Sequence, residues 1–229
     1  MTDRSLEAIR RELAQGYWHR GAFKVSTDTP YTWASGKKMP VYTDTRSLLG
    51  DPQLRKAIAA GLHTLVTEAQ DKPAAWIAGT ATAGIPHATS LADRMGLPLG
   101  YVRAAAKEHG AGRQVEGLLA QDVQRGSGIL VEDLISTGGS VLRAVQALHD
   151  HGAQVDLIVA IFSYGIPVAA ERLAAHQPPI RLAILCSIED LIAAGSAVDA
   201  LSNEAATVVE QWRVDPMSWW ERHGEGVRS

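Results

Sequence analysis

The sequence predicts an α/β fold, a Rossmann-like parallel sheet covered by helices, and three observations carry that reading. Short apolar runs alternate with amphipathic stretches between residues 76 and 185. Two of those runs, Ile129 to Val131 and Leu157 to Phe162, are apolar throughout, the pattern of strands buried on both faces. Polar, glycine-bearing segments follow the runs at Gly79 to Gly84 and Ser136 to Ser140, where open α/β sheets bind ligands.

The elements follow in chain order. Asp3 to Gln15 reads as a helix with Leu6, Ile9 and Leu13 on one face and Gly16 as its stop. Between Gly21 and Thr45, the residues Phe23, Val25, Tyr31, Trp33, Val41 and Tyr42 fall in short β-like runs, with a turn at Ser35-Gly36. Asp51-Pro52 reads as an N-cap followed by proline at the first helical position, and Leu54, Ile58, Leu62 and Leu65 recur at helical spacing behind it. Trp76 to Ala78 is a predicted strand, followed by a loop and a helix running towards Met95. Leu99 to Arg103 is the next strand, and the polar stretch Ala104 to Glu116 reads as a mobile loop. Gly128 to Val131 is a strand leading by a loop to the helix Val141 to Asp150, which Gly152 stops. Val155 to Phe162 and Leu182 to Leu185 are strands flanking a helix over Ala169 to His176. Leu201, Ala205, Val208, Val209 and Trp212 mark a late amphipathic helix. Trp219-Trp220 either packs on a partner or caps the fold. The division expected is one domain over residues 1–229: a hood over 1–50, a core over 51–186 with a mobile loop at 103–116, and a helical tail over 187–229.

Composition narrows the function classes. Of the 229 residues, 46% are hydrophobic and 21% charged, ordinary values for a globular enzyme. A formal charge of -3 argues against a protein that grips nucleic acid by its phosphates. A lone cysteine, Cys186, excludes an intrachain disulfide and a cysteine-based zinc cluster. His149 and His151 flank Asp150 without a further ligand at suitable spacing and read as a surface cluster, so no protein metal site is expected. No apolar run approaches the ~20 residues of a membrane span, and the N-terminus lacks an apolar signal core. The expected address is the cytosol.

The chemistry is concentrated in Gly128 to Leu142, GILVEDLISTGGSVL. A buried strand delivers Glu132-Asp133 to its carboxyl end, where paired carboxylates accept hydrogen bonds from a diol or face a metal's water shell. Ser136, Thr137, Gly138, Gly139 and Ser140 then form a loop in which backbone N–H groups and hydroxyls approach an anion, at the positive end of the next helix. The same loop residues would also serve simply to cap that helix. Two acids directly after a buried strand favour a ribose 5-phosphate site.

Val131 to Ser140, VEDLISTGGS, resembles the phosphoribosyl pyrophosphate (PRPP) motif of type I phosphoribosyltransferases. Three further stretches resemble the orotate branch of that family: Tyr31 to Lys37 continuing through Pro40-Val41-Tyr42 to Asp44 and Arg46, Ala78 to Pro86, and Tyr101 to Gly117. The resemblance implies that family's sheet with a small hood from the N- and C-terminal segments. It also implies transfer of the phosphoribosyl group of PRPP to orotate. By resemblance, Ile135, Ser136, Thr137, Gly138, Gly139 and Ser140 hold the 5-phosphate, Glu132 and Asp133 the ribose hydroxyls, and Leu134 between them also belongs to the substrate-binding stretch. Asp133 also counts among the catalytic groups. Thr82 belongs to the pyrophosphate loop, and Arg103, Lys107 and His109 close over the leaving group. Ser136 contacts orotate in relatives or caps the helix. Lys24 contacts a substrate from the hood or is an exposed strand lysine. Trp33 and Tyr42 shape the base pocket or belong to the core. Mg²⁺ is expected on the substrate, and a homodimer in which one subunit's loop serves the other's site.

Two departures bear on the base. Ala104-Ala105-Ala106 stands where many relatives carry another loop lysine, and Ser163-Tyr164-Gly165 where some carry an arginine for the orotate carboxylate. That contact is expected from elsewhere, backbone N–H groups near Val41-Tyr42 being candidates. The alternatives are a phosphoribosyltransferase for another base and a non-catalytic PRPP-sensing regulator.

Overall fold

A computed structural model describes residues 4–33, 36–105, 114–216, 218–219 and 221. The chain opens with α1 (Leu6–His19), capped by Ser5, whose hydroxyl accepts from the Ala8 N–H. The helix runs through Gly16 rather than stopping there. A Cβ at that glycine would meet Leu54 at 2.6 Å, so the residue serves close helix packing, not termination. Four short strands follow: β1 (Phe23–Val25), β2 (Tyr31–Thr32), β3 (Lys38–Met39) and β4 (Val41–Thr43). They pair as two antiparallel ribbons, β1 with β4 and β2 with β3. A 3₁₀ turn over Thr45–Gly50 leads into α2 (Pro52–Ala69), whose N-cap Asp51 accepts from Gln53 and Leu54 as the sequence predicts.

The core then alternates: β5 (Ile77–Thr80), α3 (Ile85–Met95), β6 (Leu99–Val102), β7 (Val115–Glu116), α4 (Ala120–Val123), β8 (Gly128–Ile135), α5 (Gly139–Asp150), β9 (Val155–Ser163), α6 (Pro167–Ala174), β10 (Arg181–Ser187), α7 (Ile188–Ala197) and α8 (Asn203–Val214). The short β7 and α4 and the helix α7 were not anticipated. Helix α7 starts in a capping box: the Ser187 hydroxyl accepts from the Asp190 N–H while the Asp190 carboxylate accepts from the Ser187 N–H.

Six strands form one sheet in the order β10-β9-β8-β5-β6-β7, parallel except for β7. Alternate residues of β8 feed opposite faces: Ile129 and Val131 join the core beneath α1, α2 and α3, and Leu130 the core beneath α5 and α6. The first core reaches further, taking in Met39 and Val41 of the hood strands, Trp212 of α8, and Trp219. Trp219 is buried, so this part of the tail caps the fold; Trp220 lies outside the described residues. Among the described residues no helix is long and apolar enough to cross a membrane.

Strand β5 has β6 on one side and β8 on the other. Its onward connection by α3 goes to β6, whereas β8 continues by α5 to β9. Two neighbouring parallel strands whose connections depart in opposite directions open a crevice at their carboxyl ends.

Candidate active site

The crevice between the ends of β5 and β8 is an open cleft of about 360 Å³, within the range of small-molecule sites. Its core side is formed by residues 80–83 after β5, by Glu132 to Leu134 on β8, and by Ser140 in the first turn of α5. Its hood side is formed by Thr43, Asp44, Thr45 and Arg46.

Strand β8 continues to Ile135, beyond the Val131 limit read from apolarity, because the sheet still has a partner for it. Glu132 pairs with Ala160 and Leu134 with Phe162. The acids are therefore held by the sheet ladder itself. Glu132 is buried and accepts the Thr80 hydroxyl proton at 2.6 Å and the Asp133 backbone N–H at 3.0 Å. Burial, reinforced by the adjacent Asp133 carboxyl, pushes the Glu132 carboxyl above its ordinary range. Asp133 is only partly buried and lines the cleft. The two acids thus differ: one is a clamped, proton-retaining group, the other an accessible carboxylate.

The β5–α3 turn must pass under this pair. A Cβ on Gly84 would sit 2.6 Å from the Val131 carbonyl oxygen and 2.5 Å from the Thr80 hydroxyl, so only glycine lets the turn close on β8. The Ala81–Thr82 peptide within the turn is cis. After β8, Gly138 takes a left-handed conformation (φ 77°) as the N-cap of α5, which starts at Gly139, two residues before the predicted Val141. The first turn of α5 therefore begins inside the Ser136 to Ser140 stretch. Arg172 of α6 donates to the Thr137 carbonyl at 3.0 Å and pins that loop from outside.

Arg103 follows β6, and its backbone N–H donates to Gln114 while the Gln114 side chain donates back to the Arg103 carbonyl. This reciprocal pair ties the base of the loop to the sheet edge, where β7 pairs with β6. Among the described residues the Arg103 Nε is buried without a hydrogen-bond partner. Lys107 and His109 lie outside the described residues. Lys24 is exposed on β1 opposite Tyr42 and is not among the described residues lining the cleft.

Trp33 stacks on Tyr164 at 4.6 Å, Tyr164 meets Trp212 edge-on at 5.6 Å, and the Trp33 indole N–H donates to the Val41 carbonyl. These rings are cement between hood, sheet and α8. Tyr164 is buried in that cement, and burial raises its hydroxyl pKa.

Sequence reasoning passed over Thr80, Asp44 and Arg46 as site residues. Asp44 and Arg46 stand in the quoted N-terminal stretch, and their alternation with Thr43 and Thr45 after a short strand was the available signal.

A phosphoribosyl transferase domain matches residues 45–166, the span that contains both strands of the switch point and both loops. The orotate phosphoribosyltransferase of Streptococcus pneumoniae is 42% identical over 213 residues, covering 93% of this chain and 99% of that protein. That of Enterococcus faecalis is 38% identical over 211 residues, covering 92% and 98%. Among solved structures, the orotate phosphoribosyltransferase of Aeropyrum pernix superposes with a TM-score of 0.63 at 29% identity, covering 83% of this chain and 99% of that one. The fold is that of a type I phosphoribosyltransferase. Within that class the chain belongs to the orotate phosphoribosyltransferases.

Proposed function

We propose that the cleft between β5 and β8 is where this enzyme transfers the 5-phosphoribosyl group of PRPP to orotate, giving orotidine 5′-monophosphate and pyrophosphate for pyrimidine synthesis. The observation that carries the placement is the Thr80–Glu132–Asp133 cluster beside the Ile135 to Ser140 loop, at the sheet's switch point.

The orotate ring nitrogen N1 forms a bond to the anomeric carbon as the bond to pyrophosphate breaks with its electron pair on the leaving oxygen, and the N1 proton passes to the departing pyrophosphate or to water. Positive charge builds on the ribose and negative charge on pyrophosphate, so catalysis is mainly alignment and charge stabilisation. Glu132 and Asp133 hold the ribose hydroxyls. Ile135 to Ser140 hold the 5-phosphate through backbone N–H groups and hydroxyls at the N-terminus of α5. Residues 80–83, with Thr82, receive the pyrophosphate, and Arg103, Lys107 and His109 close over it. Arg103 offers a fork and Lys107 a point charge. In this reading the loop bearing those cations serves a second copy's site, so the working unit is a homodimer.

The residues present fit a Mg²⁺ that arrives on PRPP. Asp44 and Asp133 bring carboxylates to the cleft, the hard oxygen donors that Mg²⁺ takes alongside waters and phosphate oxygens. Among the described residues no cluster of three or more acids, histidines or cysteines forms a cage for it. When bound, the ion supplies neutralising charge to the pyrophosphate.

The test mixes the enzyme with PRPP, Mg²⁺ and one base at a time, following base consumption and pyrophosphate release. Orotate turnover that Lys107→Ala lowers about a hundredfold or more supports the reading. Turnover of uracil or hypoxanthine in preference to orotate would overturn the base assignment. PRPP binding with no base consumed would identify a sensor instead.

A further inference from the structure

Orotate carries a carboxylate on the ring carbon next to N1, the nitrogen that attacks the ribose. In the reacting complex this carboxylate must lie beside the anomeric carbon, close to the groups that hold the ribose hydroxyls. Three acids, Asp44, Glu132 and Asp133, line the cleft, and burial keeps Glu132 in its protonated form. An anionic base entering beside Asp44 and Asp133 needs a local cation to offset their repulsion.

Among the described residues lining the cleft, Arg46 is the only cation. Its guanidinium lies at the hood side, within electrostatic range of Tyr42 and of Asp133. Its Nε donates to Asp44 Oδ1 at 2.7 Å, which fixes the plane of the fork from behind. That bond uses one edge of the guanidinium. The terminal nitrogens remain for a bidentate grip, and the side chain is largely exposed to the cleft. The pair with Asp44 also holds the group firmly charged.

The backbone alternative is weaker than the sequence suggested. The Asp44 N–H bonds to the Ala22 carbonyl and the Ser26 N–H to the Pro40 carbonyl, bracketing the Lys24–Tyr42 pair of the β1–β4 ribbon. In an antiparallel ladder every second pair exchanges both bonds, so the Tyr42 N–H is spent on Lys24. Tyr164 cannot serve either, being buried among aromatic rings.

We infer that Arg46, oriented by Asp44, is the residue that binds the substrate base's carboxylate and selects orotate over bases that lack one. This inference rests on the function proposed above.

The test compares wild type with Arg46→Ala and Arg46→Lys, measuring KM for orotate, KM for PRPP, and the ratio of kcat/KM for orotate to that for uracil. Loss of a charge-assisted bond predicts that Arg46→Ala raises the orotate KM about tenfold to a hundredfold. The PRPP KM is expected to move less than about threefold, and the orotate-to-uracil ratio to collapse. Arg46→Lys, a point charge without the fork, recovers part of the loss. The melting temperature reports folding independently and should stay near that of wild type, since the side chain is exposed. A rise confined to the PRPP KM would make Arg46 a pyrophosphate ligand and overturn the inference. An unchanged base ratio would overturn it as well. If wild type itself fails to consume orotate, the functional proposal falls; if only the Arg46 variants behave like wild type, this inference alone does.

Discussion

The two walls of the cleft are built by different means. The core wall stands on β5 and β8 in mid-sheet, with both acids carried by β8 and Glu132 further fixed by the Thr80 hydroxyl. The hood wall is a short antiparallel ribbon and a 3₁₀ turn, with three residues per strand and no hydrogen-bonded place in the main sheet. The hood is held by side-chain packing, its aromatic contact with Tyr164 and Trp212 together with Met39 and Val41 in the core. A rigid wall suits the part of the substrate that must be aligned for attack, the phosphoribosyl group. A wall resting on replaceable side chains suits the part that sets specificity, the base.

The contrast can be broken at several points, in order of expected size. Gly84→Val drives side-chain atoms into the Val131 carbonyl and Thr80, backbone that cannot yield. It should abolish activity and lower thermal stability by about 3 kcal/mol or more, read by calorimetry and the orotate assay. Trp212→Ala removes a fully buried ring joining hood to core and should cost about 3–5 kcal/mol. If the hood is held as described, this variant loses orotate affinity more than PRPP affinity; equal losses would erase the distinction between the walls.

Asp133→Asn should lower kcat/KM for PRPP about a hundredfold while leaving the fold intact, because this carboxylate faces the cleft and is not a core group. Glu132→Gln sharpens the comparison through pH. The folded-state pKa of Glu132 is raised, so the folded protein holds a proton that the unfolded chain has released. Its stabilising share is complete below the ordinary carboxylate range and is lost as pH rises towards the raised value. Glutamine, which cannot ionise, should flatten that decline in a stability–pH profile; an unchanged slope would mean that Glu132 ionises freely. The smallest effect is expected from Arg172→Ala, which frees the Thr137 carbonyl and should raise the PRPP KM a few-fold with little change in kcat.

Legibility in the sequence follows the same division. The strand β8 and the helix α5 were readable because a buried strand must be apolar and a phosphate loop must carry small, hydroxyl-bearing residues. The boundaries erred where tertiary contact overrides local pattern. Polar Glu132 continues a strand because the sheet supplies its partner, and Gly16 stays helical because Leu54 needs the space. The hood was harder. Trp33 and Tyr42 were placed in β-like runs, but nothing local tells that Trp33 stacks on Tyr164, 131 positions later in the chain, or that Arg46 reaches the cleft facing Asp133. A side chain's orientation across a cleft is a property of the packed fold and leaves no periodicity to read. Helix α7, with its small residues Ala193, Ala194 and Gly195, also hid its amphipathic face.

The most direct test of the account is a crystal structure of the enzyme with PRPP and Mg²⁺. The account predicts ribose hydroxyls against Glu132 and Asp133, the 5-phosphate within the Ile135 to Ser140 loop, and pyrophosphate along residues 80–83. PRPP seated elsewhere, for instance in the groove at the opposite end of the sheet near Ser127, Asp156 and Arg181, would contradict it.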